Sequence, residues 1–241
     1  MISEMWSLYR KFYDHNHTSF LERLKKNDYY SIYRDGERLI GFTGLRIKRE
    51  RIQGRRNLLI NFGQTIIEPT YRGKSLIPAT GFKLCCKFGW EILISKTYFW
   101  ADCLTYKAYL VFAKTLEEYY PTYKLDSTRQ AQSVIDCIGQ TYYADSYCAT
   151  SGTICKDSIV VNDVNNYIPK EYLLDQDISF YAQVNPGFTK GDGLITLGPV
   201  NLKNFMLLLK RAGQKWLSLH ARPRKQGKRI KLVGTSYRKS A

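Results

Sequence analysis

No CxxC pair, no eighteen-residue uncharged apolar run, and neither a Gly-x-Gly-x-x-Gly nor a Gly-x-x-x-x-Gly-Lys-Ser/Thr pattern occurs in this 241-residue chain. Each absence closes a class. Without CxxC spacing, Cys85, Cys86, Cys103, Cys137, Cys148 and Cys155 read as buried free thiols, and no metal site is expected. Without a long apolar run, no transmembrane helix is expected. Without the two glycine patterns, the dinucleotide fingerprint and the Walker loop are excluded. The opening MISEMWSLYRKFYDHNH lacks the basic start and apolar centre of a signal peptide, so the expected location is cytoplasmic. His15 and His17 in that stretch stand about 200° apart on a helix, which favours a polar break over a metal pair. Acid is missing from one place in particular: residues 201–241 hold twelve Lys or Arg and no Asp or Glu. Residues 1–200 carry 25 bases against 21 acids, so most of the net charge of +16 sits at the C-terminal end. A segment of that kind suits nucleic acid, anionic lipid or an acidic protein.

What is present suits a folded chain: 44% hydrophobic residues and 14% aromatic ones. Apolar positions recur at helical spacing over 4–26, with a polar break. Residues 29–47 read as a hairpin about Asp35-Gly36, and "RERIQGRR" (49–56) as a charged connection. A third strand, 57–67, contains Gly63, a mark of a bulge or a close backbone approach. "EPTYRGKSLIP" (68–78) then turns into a helix running to about Gly89. A strand at 97–104 and a helix at 105–120, ended by Pro121, follow. Further on, 126–140 reads as a helix, "SGTICKDSIVVND" as short strands, and 177–201 as two apolar runs around a glycine-rich loop. Residues 202–219 read as a basic amphipathic helix, and the tail reads as holding one strand at Ile230–Val233. This order implies a mixed sheet with helices on both faces.

The turn at 68–78 poses the functional question. Amides at a helix N-terminus point outward without partners and carry partial positive charge, and a glycine lets a phosphate come close. Arg72 and Lys74 add charge. The alternative is a plain strand-to-helix connection.

"TIIEPTYRGKSLIPATGFKL" resembles the acyl-CoA-binding motif of the GNAT N-acyltransferase superfamily. Ile67, Pro69, Tyr71, Arg72 and Gly73 fit it, while Ser75 stands where a second glycine is usual and Ile77 where a glycine or alanine is usual. "CLTYKAYLVFAK" resembles the next element: Ala108 fits, Thr105 replaces an asparagine, and Phe112 falls where many members have a general-acid tyrosine. "EEYYPTY" and "SFYAQVNPGFTKGDGLITL" extend the likeness to larger bacterial members, the relatives of long-chain N-acyl amino acid synthases. The resemblance implies a GNAT-like α/β (α+β) fold with a mixed, mostly antiparallel central sheet. It divides the chain into a core (1–125), a C-terminal half (126–201) and a basic helix and tail (202–241).

The resemblance also implies a chemistry. An amine attacks a thioester carbonyl, and the enzyme mainly positions the two reactants. No cofactor is held permanently; acyl-CoA, or the acylated phosphopantetheine of an acidic acyl carrier protein, is the co-substrate. The donor-binding residues are Thr65, Ile66, Ile67, Arg72, Gly73, Lys74, Ser75, Leu76, Ile77 and Thr105, with the N–H of Ile66 meeting the oxyanion. Candidates for the base are Glu68, Asp102 and, by orienting water, Gln64. Tyr106 or Tyr109 would protonate the leaving thiolate, unless both only pack. The acceptor is an amino acid, a polyamine, or a lysine or ornithine side chain of a peptide. Residues 202–219 would dock the carrier or a membrane surface, or belong to a solvated tail; no nucleic-acid motif accompanies the charge. Two rival readings stand: a non-catalytic GNAT-fold module binding a polyanion through its tail, and an acyl-homoserine-lactone type synthase using S-adenosylmethionine.

Overall fold

The computed structural model describes residues 1–13, 16–155 and 167–207, together with the strand pairing of 232–233. Two short helices open the chain, α1 (Ile2–Tyr9) and α2 (His17–Lys25), in place of the near-continuous one read over 4–26. Asn16 ends the break by capping α2, its side chain accepting from the Ser19 N–H. A meander follows: β1 (Tyr29–Asp35), β2 (Arg38–Ile52) and β3 (Arg55–Ile67). The stretch read as a charged connection is therefore mostly strand. Arg51 pairs with Arg56 across a two-residue turn at Gln53-Gly54, both at positive φ. Alternating charge is what an exposed hairpin tip tolerates, and it masked the strand.

After β3 come a single 3₁₀ turn at Pro69–Tyr71, α3 (Leu76–Lys87), a short α4 (Gly89–Ile94) and β4 (Lys96–Cys103). Helix α5 (Tyr106–Thr115) stops before Pro121 rather than at it, because Tyr120 is drawn into a bridge with Leu197. Then α6 (Arg129–Tyr143), β5 (Tyr147–Cys148), β6 (Thr153–Ile154), α7 (Gln176–Val184) and β7 (Gly193–Pro199) complete the layers. Of the two apolar runs in 177–201, the first is thus a helix. Residues 202–207 are helical; the rest of the basic segment, 208–231 and 234–241, and the 156–163 part of the expected short strands lie outside the described residues. Leu232–Val233 forms β8, antiparallel to β1.

The strand order is β5-β6-β7-β4-β3-β2-β1-β8, and the β3–β4 pairing alone is parallel. The fold class read from the sequence, a mixed and mostly antiparallel sheet flanked by helices, is what the structure has. One sheet runs through both 1–125 and 126–201. Side-chain alternation along the strands sorts the helices into two layers. On one face, α1 and α2 pack Met5, Leu8, Tyr9 and Phe20 against Ile32, Phe42 and Ile66, while α6 packs Val134, Ile135 and Ile138 against Leu59, Trp100 and Leu197. On the other, α3 sets Leu84 and Phe88 on Leu45, Leu58 and Ile60, and α5 and α7 close over Cys103 and Leu194. No helix among the described residues is long and apolar enough to cross a membrane.

One buried carboxylate ties α5 and α7 together. Asp177 accepts from Tyr119 Oη at 2.7 Å and from Lys114 at 2.9 Å, with Lys124 at 3.0 Å. Burial raises its carboxyl, but hydrogen bonds from Lys114, Tyr119 and Lys124 outweigh that and leave the group below its ordinary value of 3.8. A depressed folded value means the stabilisation is full above 3.8 and is lost as pH falls through the lower folded value. Asp177→Ala strands the buried Tyr119 hydroxyl and is expected to cost about 2–4 kcal/mol in urea unfolding at neutral pH. The gap between variant and wild type should narrow below pH 3.8.

Candidate functional site

β3 and β4 pair only from Asn57–Lys96 to Asn61–Trp100. Beyond that rung each strand stays with its other neighbour. β3 follows β2 as far as Gly41–Ile67, and β4 follows β7 through Asp102–Ile195 and Cys103–Leu194. The two therefore part, and a cleft of about 700 Å³ opens between them. A bulge helps to set the divergence. Between the Gly44–Gly63 and Phe42–Ile66 pairs β3 has two residues, Gln64 and Thr65, against Thr43 alone, and Gln64 sits at φ +28°. Next to it, Gly41 has no room for a side chain: a Cβ would stand 2.7 Å from the Ile66 carbonyl oxygen.

The cleft passes from one layer to the other. On the α3–α5 side stand the basic-glycine turn, Leu76 and Ile77 of α3, and Ala108, Val111 and Phe112 of α5. On the α1–α6 side stand Arg23, Arg46, Asp102 and Tyr143. Tyr9, Phe12 and Tyr13 add an aromatic rim. Five bases line it, Arg23, Arg46, Arg72, Lys107 and Lys114, against a single acid, Asp102. That imbalance suits an anionic occupant.

The turn is preformed. Gly73 lies at φ +75° with nothing within 4 Å of a would-be Cβ, and Ser75 is left-handed at φ +60°. Ser75 precedes α3 without capping it through its side chain, which leaves first-turn amides open to a ligand. Arg72 reaches back, its Nε donating to the Ile67 carbonyl at 3.1 Å and its guanidinium lying 5.4 Å from the Phe12 ring centre. Lys74 instead packs its ammonium 4.1 Å from the Tyr71 ring centre and is not part of the lining.

Of the other expected donor residues, Thr65, Ile66, Ile67, Arg72, Gly73, Ser75, Leu76, Ile77 and Thr105 line the cleft. The Ile66 amide, however, does not face it. The Glu68 N–H donates to the Ile40 carbonyl at 2.9 Å, so the two-residue period turns Ile66 toward β2 as well. The backbone groups turned to the open side are those of Ile67, as its bond from Arg72 confirms.

Gln64 and Asp102 line the cleft; Glu68, Tyr106 and Tyr109 do not. Glu68 is paired with Arg38 and Lys11 outside it. Tyr106 and Tyr109 are buried beneath α5, the latter donating to the Pro121 carbonyl at 3.1 Å. Burial first, then Tyr119 and Asp177, hold the Tyr109 hydroxyl far above its ordinary value, so it stays protonated. These three lie on the wrong side of their elements, which spacing alone did not reveal.

Sequence reasoning missed Asn27, Arg46 and Tyr143. Tyr143 ends α6 against Asp102; burial first, then the Asp102 charge and hydrogen bond, raise its hydroxyl well above the ordinary value. Asn27, 7% exposed, donates to the Arg23 carbonyl at 3.1 Å, to Tyr30 Oη at 2.8 Å and to Gln64 Oε1 at 3.3 Å, while Arg46 Nε lies 3.4 Å from its Oδ1. Gln64 is thereby held with its Nε2 buried and without a partner. None of the three carried a motif, and nothing in the sequence joined α6 to β4 or brought Arg46 to the cleft. No group of residues able to hold a metal occurs among the described residues.

No protein-family model matches the chain, and no curated protein matches it. Among solved structures it is similar to a chain of "The crystal structure of KacTA-DNA complex", at 12% identity and a TM-score of 0.33, over 53% of this chain and 89% of that one. A likeness of that size carries no argument.

Ser75 pays for its left-handed backbone, and glycine would not. Ser75→Gly is expected to raise thermal stability by about 0.5–1 kcal/mol, read by differential scanning calorimetry, with the turn intact.

Proposed function

We propose that the chain is a GNAT-type N-acyltransferase that moves an acyl group from a pantetheine thioester, on CoA or on an acyl carrier protein, to an amine. The observation that carries this reading is the parting of β3 from β4 with a glycine turn and helix N-terminus at one mouth. The free edge of β3 offers backbone groups to an extended, amide-bearing chain, which pantetheine is. The turn and Arg72 suit its phosphates. The gap then leads the thioester to Asp102 on the other layer.

There the amine's proton goes to Asp102, and the neutral nitrogen attacks the carbonyl carbon. Negative charge collects on the carbonyl oxygen, where the Ile67 N–H or Gln64 Nε2 can meet it; one such donor is typically worth about 3–4 kcal/mol. The tetrahedral centre collapses, the C–S bond breaks, and the nitrogen's second proton passes to the departing sulfur, leaving a neutral amide and a free thiol. Tyr143, beside Asp102, offers a hydroxyl that can relay that proton, giving one to the sulfur as it takes one from the nitrogen. The long-chain acyl group, the amino-acid or polyamine acceptor and a cytoplasmic location are parts of the same proposal. The apolar walls given by Leu76, Ile77, Val111 and Phe112 and the six free cysteines support them.

Native mass spectrometry with acyl-CoAs of graded chain length, and with acylated carrier protein, tests the donor: one class should bind selectively. Ile77→Glu, which adds a carboxylate at the turn, should abolish that binding. Asp102→Asn should leave donor affinity unchanged and lower acyl transfer by about 10²–10⁴-fold. A chain that binds neither donor class would instead be a non-catalytic module.

A further inference from the structure

The α3–α4 corner leaves an apolar stripe uncovered. Trp90 is 75% exposed, Leu93 79%, Ile94 51% and Phe82 45%. Large side chains exposed singly are ordinary, but four on one corner mark a contact surface. The charge around them is of one sign. From Pro69 to Ala101 the sole acid is Glu91, and it is clasped by Arg49 through bonds of 2.6 and 2.7 Å. Lys83 and Lys87 flank the stripe on α3, both exposed. The same Arg49–Glu91 clasp ties α4 to the β2–β3 hairpin, whose tip presents the exposed pair Arg51 and Arg56 on that face.

We propose that this corner is a docking surface for an anionic lipid bilayer, with Trp90, Leu93 and Ile94 entering the headgroup boundary and the surrounding bases meeting lipid phosphates. An amphipathic corner of this kind gains from both apolar burial and charge. A nucleic-acid surface would gain from the bases but not from burying Leu93 and Ile94. A second copy docking through the same corner would set Lys83, Lys87, Arg51 and Arg56 against their own counterparts. The surface is built from residues other than 202–219 and does not depend on the acyl-transfer reading.

The test uses the full chain and vesicles of equimolar phosphatidylglycerol and phosphatidylcholine, against phosphatidylcholine alone, by co-sedimentation. Wild type should partition to the anionic vesicles. Trp90→Ser with Leu93→Ser should keep its melting temperature and partition about tenfold less, and Arg51→Gln with Arg56→Gln should bind more weakly with a shallower salt dependence. Unchanged partitioning of the apolar double variant would overturn the proposal and pass vesicle binding to the C-terminal bases. So would a wild-type dimer that the same variant dissociates, or duplex-DNA binding that it abolishes while vesicle binding persists. If the apolar variant does not fold, unchanged partitioning of Arg51→Gln with Arg56→Gln overturns the proposal equally.

Discussion

Two neighbouring strands that share five rungs and then separate impose a cost: several backbone amides and carbonyls of β3 lose the partner they would have in a closed sheet. A buried backbone group without a partner is expensive, so the separation has to be held open from outside the pair. β2 does this from one side and β7 from the other, each staying paired to the end of its neighbour. The bulge at Gln64-Thr65 bends β3 further, and Gly41 lets β2 follow the bend without a side chain in the way. Arg72 takes one of the freed carbonyls, that of Ile67. The cleft, the turn above it and the polar cluster below all depend on that parting.

The same constraint explains which parts of the site were legible. Turn chemistry is local, so Arg72, Gly73 and Ser75 declared themselves, as did the glycine in β3 and the parity that puts Asp102 opposite Cys103. The groups that meet Asp102 come from far along the chain. Tyr143 reaches it only because α6 lies across β4 and β7, a packing decided by Val134, Ile135 and Ile138 rather than by any residue near Tyr143. Asn27, which holds Gln64 rather than Asp102, depends on how α2 ends over β2. Tyr109 failed as a candidate for the opposite reason: at helical spacing it belongs to the face of α5 that α7 covers, and α7 itself read only as an apolar run of unassigned type. The hairpin tip was obscured by charge, and α4 by its brevity.

Layer assignment also separates stability from chemistry within α5. One face of this helix carries Tyr106 and Tyr109 into the core with α7, where Asp177 gathers Lys114, Lys124 and Tyr119. Another face supplies Ala108, Val111 and Phe112 to the cleft wall. Lys114 belongs to both, lining the cleft while bound to Asp175 and Asp177 at 2.8 and 2.9 Å. The wall is therefore braced from behind by an ionic knot, and its position is fixed before anything enters the cleft.

The pairing of Leu232–Val233 with Ile32–Tyr33 bears on how the molecule behaves in company. Without it, β1 would present a bare row of amides and carbonyls along the rim of the sheet, a template on which strands from other chains can polymerise. Two residues from the far end of the chain occupy that rim. A chain shortened ahead of Leu232 keeps every residue of the cleft while Ile32 and Tyr33 lose the strand that covers them, so the rim of the sheet and the site are completed by different parts of the sequence.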